Sequence, residues 1–200
     1  GTGHRIAMRQ MVGEELSMTP DEVRRIELIE GDTALTPDQG STAGSSGVMR
    51  GGVELRRAAA TAREALLALA AAKLQRASTE LTLEGGQIGA ASGGPRISIA
   101  ELAGERAFNV KLNPKAPLKD PLNYSIVGRS LPRPDIPAKA TGRHVFVHDH
   151  TLPNMLHGRV VRPAAVGAQL LEVDAVSIKH IPGARVVRIE NFLGVVAEDE

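Results

Sequence analysis

Apolar residues recur at Met8, Met11, Val12 and Leu16, the i, i+3, i+4, i+8 stripe of a half-buried helix, and Gly3 marks where that helix begins. Thr19-Pro20-Asp21-Glu22 places a hydroxyl cap, a proline and a glutamate in the order of a capping box, so a brief helical turn is expected there. Ile26 and Leu28 alternate with polar neighbours across Arg25–Glu30, which is strand patterning. The longest predicted element runs from about Met49 to Leu74, with Leu55, Ala59, Ala62, Leu66 and Leu69 on one face and alanine filling much of the rest. Thr79–Leu83 and Gln87–Ala90, joined through Gly85-Gly86, fit a hairpin, and Ser98-Ile99-Ala100-Glu101 heads another short helix. Six prolines between Lys111 and Pro137 rule out regular structure and predict a wrapping connection, with a domain boundary near 118. Beyond it the pattern predicts short strands at Val145–Asp149, Met155–Val161, Gln169–Val173, Ala184–Ile189 and Phe192–Val196, and a helical turn at Ala175–His180.

Two glycine-rich stretches lead into predicted helices: Gly1-Thr2-Gly3, and the run Gly40-Ser41-Thr42-Ala43-Gly44-Ser45-Ser46-Gly47. A helix start carries backbone N–H groups without internal partners and a partial positive charge, and glycine lets an anion approach that backbone closely. Each such end contributes only about 0.3–1 kcal/mol toward a surface charge, so two converging on one pyrophosphate would indicate a buried cofactor better than either alone. An ordinary loop with an N-cap is the competing reading of each.

Composition narrows the alternatives. Lys+Arg and Asp+Glu nearly balance at 24 and 23, which argues against a surface dedicated to nucleic acid or anionic membrane. The arginines at 50, 56, 57 and 63 share their helix with Glu54 and Glu64, the composition of a solvated face. Cysteine is absent, so this sequence supplies no disulfide, iron–sulfur cluster or thiolate zinc site, and any redox relay sits outside these residues. No apolar run reaches the roughly 18 residues that span a bilayer. The sequence opens on Gly-Thr-Gly rather than methionine, where a preceding strand is expected, so it is expected to be a fragment.

Other candidates for chemistry are weaker. His148 and His150 flank Asp149, and on a strand they would share a face suited to zinc or copper, but no third ligand follows from the pattern. Glu14-Glu15 and the terminal Glu198-Asp199-Glu200 read as solvated acids. Asp32-Thr33 fits either a ligand-orienting pair or an Asx turn. No Gly-x-Ser-x-Gly elbow occurs.

Taken as phrases, Gly1-Thr2-Gly3-His4-Arg5-Ile6-Ala7, Glu14-Glu15-Leu16 and Gly31-Asp32-Thr33-Ala34-Leu35-Thr36-Pro37-Asp38-Gln39-Gly40-Ser41-Thr42-Ala43-Gly44-Ser45 resemble the molybdopterin-binding large subunit of molybdenum hydroxylases. Within the relatives of xanthine dehydrogenase and aldehyde oxidoreductase, the resemblance is strongest to the bacterial isoquinoline 1-oxidoreductase and nicotinate dehydrogenase type. Val127-Gly128-Arg129, Pro132-Arg133-Pro134-Asp135-Ile136-Pro137-Ala138-Lys139, Thr141-Gly142-Arg143, Phe146-Val147-His148-Asp149, Leu152-Pro153 and Met155-Leu156-His157-Gly158 resemble the family's α/β hammerhead domain.

The resemblance implies an α+β protein: part of a two-layer molybdopterin-binding α/β subdomain over residues 1–117, then an incomplete α/β hammerhead domain over 118–200. It implies a molybdenum-molybdopterin cofactor in its cytosine dinucleotide form, held through backbone amides. The family's Gly-Gln-Gly turn maps onto Gly1, Thr2 and Gly3, and its Thr-Ala-Ala-Ser-type loop onto Thr42, Ala43, Gly44 and Ser45, with Gly47 just after. Thr2 departs from the family's glutamine and reaches less far, so backbone contacts rather than a side-chain contact are expected there.

An iron–sulfur electron-transfer subunit, the remainder of the large subunit and a small heterocycle or aldehyde substrate are the implied partners, and the implied reaction is hydroxylation or oxidation with water as oxygen source. The family's catalytic glutamate has no match in these residues, so the isolated fragment is expected neither to turn over substrate nor to hold the cofactor tightly. The competing expectation is a non-catalytic remnant acting as an assembly or interaction module. The compartment, cytoplasmic or periplasmic, is left open.

Overall fold

The computed structural model describes residues 3–38, 40–41, 43–104 and 109–199. The chain is α+β and divides into two compact units, Gly1–Gly142 and Arg143–Glu200. In the first, α1 (His4–Glu15) is followed by α2 (Pro20–Arg25), whose capping box forms as its sequence requires: Thr19 Oγ1 accepts from Glu22 N–H while the Glu22 carboxylate accepts from Thr19 N–H. A glycine-rich π-helical stretch, Gly47–Gly52, leads without a break into the 22-residue α3 (Val53–Leu74). The α3 face turned inward carries Ala59, Leu66 and Ala70, whereas Leu69 on the expected stripe is 44% exposed.

The hairpin is present, shortened to β1 (Leu81–Glu84) and β2 (Gln87–Ala90), and a third strand, β3 (Arg96–Ser98), extends it. Gly85 and Gly86 both have positive φ, at 53° and 70°, the geometry of a two-residue hairpin turn that follows the strand twist. Leu81 pairs Ala90 and Leu83 pairs Ile88, so alternate residues point to one face and meet Leu66, Ala70 and Ile97 in the apolar core. Ile88 is fully buried there. Ile88→Val should lower the unfolding free energy by about 1 kcal/mol, measured as a reduced urea midpoint at unchanged m-value. Ser98 then caps α4 (Ile99–Ala103) by accepting from Glu101 N–H.

The strand expected over Arg25–Glu30 is absent. Ile26 and Leu28 are half-buried and their neighbours exposed, so the alternation is real, but the segment has no ladder partner among the described residues. The proline-rich stretch wraps the helices. Its backbone is bound to α1 and α3 by hydrogen bonds, it ends in α5 (Ile136–Ala140), and the two compact units part after Gly142.

The second unit is a three-stranded antiparallel sheet in the order β4-β6-β5, from β4 (His157–Val160), β5 (Arg185–Ile189) and β6 (Phe192–Ala197), with a 3₁₀ turn at Ala175–Ile178. Two expected strands do not form. Over Val147–Asp149 the backbone is a 3₁₀ turn closed by the Asp149 carboxylate, which accepts from Phe146 N–H. Over 168–170 the backbone groups are taken by side chains: Asn191 accepts from Leu170 N–H and donates to Ala168 C=O, and Arg188 donates to Leu170 C=O. Local side-chain bonds thus replace a ladder.

Candidate functional site

Helix α1 begins at Gly3, in the left-handed region at φ 74°, and among the described residues no side chain caps it and no acid occupies its first turn. The stretch at Gly47–Gly52 likewise begins without a side-chain cap or an acid, after Gly44 and Ser45 at φ 59° and 53°. In contrast, the shorter helices α2 and α4 satisfy their first N–H groups with Thr19 and Ser98. Among the described residues both starts thus lack a side-chain cap, and the partial positive charge of a helix start favours an anion there. Ser45 holds its left-handed backbone at a cost of about 1 kcal/mol.

These two starts touch. A Cβ placed on Gly47 would lie 2.1 Å from both Cε1 and Nε2 of His4, so the imidazole rests directly on the Gly47 backbone. The contact continues along the same faces, where Gly51 meets Met8 and Gly52 meets Met11, a glycine edge receiving larger side chains of α1. Of the residues expected at a cofactor site, Gly3, Ala43, Gly44, Ser45 and Gly47 are thereby placed on two neighbouring loops, with Ala43, Gly44 and Ser45 exposed. Gly1, Thr2 and Thr42 lie outside the described residues. Ser46 Oγ donates to Ala43 C=O and closes the second loop. The preceding loop is held by its own Asx turns: Asp32 Oδ1 accepts from Ala34 and Leu35 N–H, and Asp38 Oδ1 from Gly40 N–H.

At the other end of α1 the paired acids, expected on a solvated surface, are buried. Glu14 accepts from Lys119 Nζ at 2.6 Å and from the backbone N–H groups of Ser125, Ile126 and Val127 at 3.0, 2.6 and 2.8 Å. Desolvation pushes its pKa upward, but Lys119 and the three N–H donors prevail and lower it to about 2. Glu15 accepts from Arg56 at 2.7 Å, Arg63 at 2.8 Å and the Lys119 N–H at 3.0 Å. Arg56 also stands over the Tyr124 ring, 5.4 Å from its centroid, and Gln10 donates to Ile126 and Arg129 C=O. Charged residues buried in mutual contact carry the wrap, and no local feature of the sequence around Glu14-Glu15 announces it. Near the end of the wrap, Arg133 and then Lys139 hold the Asp135 carboxyl well below the usual carboxylate range.

His148 belongs to the 3₁₀ turn and His150 follows it, so the shared strand face assumed for a metal pair does not exist, and no group of three or more potential ligands occurs among the described residues. An open pocket of about 510 Å³ in the second unit is lined by Asn154, Met155, Leu156, Arg185 and Glu198, and brings none of the glycine-rich loop residues together. Among the described residues no helix is long and apolar enough to cross a membrane.

A family model described as a molybdopterin cofactor-binding domain matches residues 1–175. The chain is also 46% identical over 209 residues to a nicotinate dehydrogenase subunit of Pseudomonas putida, in an alignment covering 100% of this chain and 17% of that protein.

Proposed function

The chain belongs to the molybdopterin cofactor-binding domain family, and from that premise we propose that its two glycine-rich helix starts hold the diphosphate of a molybdopterin dinucleotide. The observation that carries this reading is the contact between two uncapped helix starts, with His4 on Gly47. Backbone N–H groups of Gly3, Ala43, Gly44, Ser45 and Gly47 are the proposed donors, joined by Gly1, Thr2 and Thr42. Such donors keep their geometry without a flexible cationic side chain, and they leave the nucleotide base, proposed as cytosine, to be read elsewhere. When bound, the cofactor supplies two-electron oxidation of an activated carbon with water as the oxygen source.

The chain spans 17% of the relative's length, and the activity of the whole protein is a proposal of the same kind: oxidation of an N-heterocycle or an aldehyde. Electrons are proposed to leave through an iron–sulfur partner. The second unit is proposed to be part of the hammerhead domain.

The test is a titration of the ¹⁵N-labelled chain with inorganic pyrophosphate and with cytidine diphosphate. Amide shifts are expected to concentrate at Gly3, Ala43, Gly44, Ser45 and Gly47, and Gly44→Val, which forces a branched residue to φ 59°, should weaken binding about tenfold. Shifts spread over the surface arginines, with the glycine amides unmoved, would refute the cradle.

A further inference from the structure

We propose that His4 is a positioning residue: seated on the Gly47 backbone, its imidazole sets the separation of the two helix starts. This rests on the cradle reading given above. Cε1 and Nε2 of His4 occupy the place a Gly47 side chain would need, each 2.1 Å from a built Cβ, with Cδ2 at 3.2 Å. His4 is the first residue of α1 and Gly47 the first of the helical stretch leading into α3, so a displacement at this joint moves the amides of Gly3 and of Gly44 to Gly47 relative to one another. The neighbouring contacts lie further along: Gly51 meets Met8 one turn on, and Gly52 meets Met11 after two turns. Contacts there stabilise the helix pair, whereas the His4 contact borders both loops. The arrangement is reciprocal in size, a large ring against a missing side chain, so the two positions are energetically coupled.

The experiment uses the full 200-residue chain in five forms: wild type, His4→Ala, Gly47→Ala, the double variant and Gly52→Ala. Each is unfolded in urea and titrated with inorganic pyrophosphate by amide shifts. Gly47→Ala should weaken pyrophosphate about tenfold in the wild-type background and less than about twofold beside His4→Ala, where the methyl group fills the vacated space. Gly52→Ala, whose methyl meets the Met11 thioether, should lower the urea midpoint yet leave pyrophosphate affinity within about twofold. An equal loss of affinity from Gly47→Ala in both backgrounds, with pyrophosphate still bound by the wild type, would overturn the positioning role alone. So would a loss from Gly52→Ala as large as that from Gly47→Ala. Failure of the wild type to bind pyrophosphate would instead overturn the cradle reading on which the role depends.

Discussion

Glu15→Gln is expected to destabilise the first unit by about 3–5 kcal/mol, far more than any change to a surface acid of the same chain. Glu15 is fully buried, and the Arg56 and Arg63 side chains that face it retain only 18% and 16% exposure. Removing the negative charge leaves two guanidinium groups close together with nothing to offset their desolvation, and the amide of glutamine cannot accept bonds from both arginines and the Lys119 N–H at once. Arg63 would still donate to Glu15 and Pro117 C=O and Arg56 to Lys119 C=O, which places the outcome inside that range instead of abolishing folding outright. The comparison is Glu54→Gln, which breaks an exposed i,i+3 pair with Arg57 and should change stability by no more than about 0.5 kcal/mol. Urea unfolding of both variants checks the contrast, and equal midpoints would show that the buried network contributes nothing beyond a surface pair.

How far the fold could be read from sequence follows from the range of the interactions that make it. Side-chain caps and a glycine-glycine turn act over two to four residues, and the Thr19–Glu22 capping box, the Ser98 cap and the Gly85-Gly86 hairpin are all where their residues indicate, although Glu101 does not close a second box. The contacts that determine the burial of Glu14 and Glu15 join residues 41 to 113 positions apart, and nothing local distinguishes a carboxylate that will be wrapped from one that will be solvated. Alternation misleads for a related reason. Ile26 and Leu28 read as a strand, but a strand exists only through a partner ladder, and 168–170 finds its partners in the side chains of Asn191 and Arg188.

The candidate site was legible as two separate loops and illegible as one. Glycine composition marks Gly3 and the 40–47 run as places where backbone comes close to something. What meets Gly47 is His4, a residue with no motif value of its own, and the 42 residues between them hide the contact from any window. A pairing of Gly47, Gly51 and Gly52 with His4, Met8 and Met11 emerges only once both helices are laid side by side, and it is this pairing that makes a shared anion cradle a geometric proposition.

Acid should release the wrap through Glu14. Its carboxyl has a folded-state pKa of about 2 against an ordinary value of 4.5, so the folded chain prefers the deprotonated form. The stabilisation this provides is complete above about pH 4.5 and is lost as pH falls through about 2, and the gap corresponds to roughly 3 kcal/mol. Protonation would turn an acceptor that serves Lys119 and three backbone N–H groups into one facing a donor with a proton of its own, and it would leave the Lys119 ammonium, 2.6 Å away, without its counter-charge. Glu14→Gln carries that loss at every pH. The variant should therefore be less stable than wild type at pH 7 by roughly 3 kcal/mol, and the difference should shrink toward zero as both are taken from pH 5 to pH 2. Urea midpoints across that interval measure it, with wild type and variant compared at each pH so that the other carboxylates cancel. A stability difference that stays constant from pH 5 to pH 2 would show that Glu14 does not hold its charge against burial, and the wrap would then owe its attachment to Glu15 and Gln10 instead.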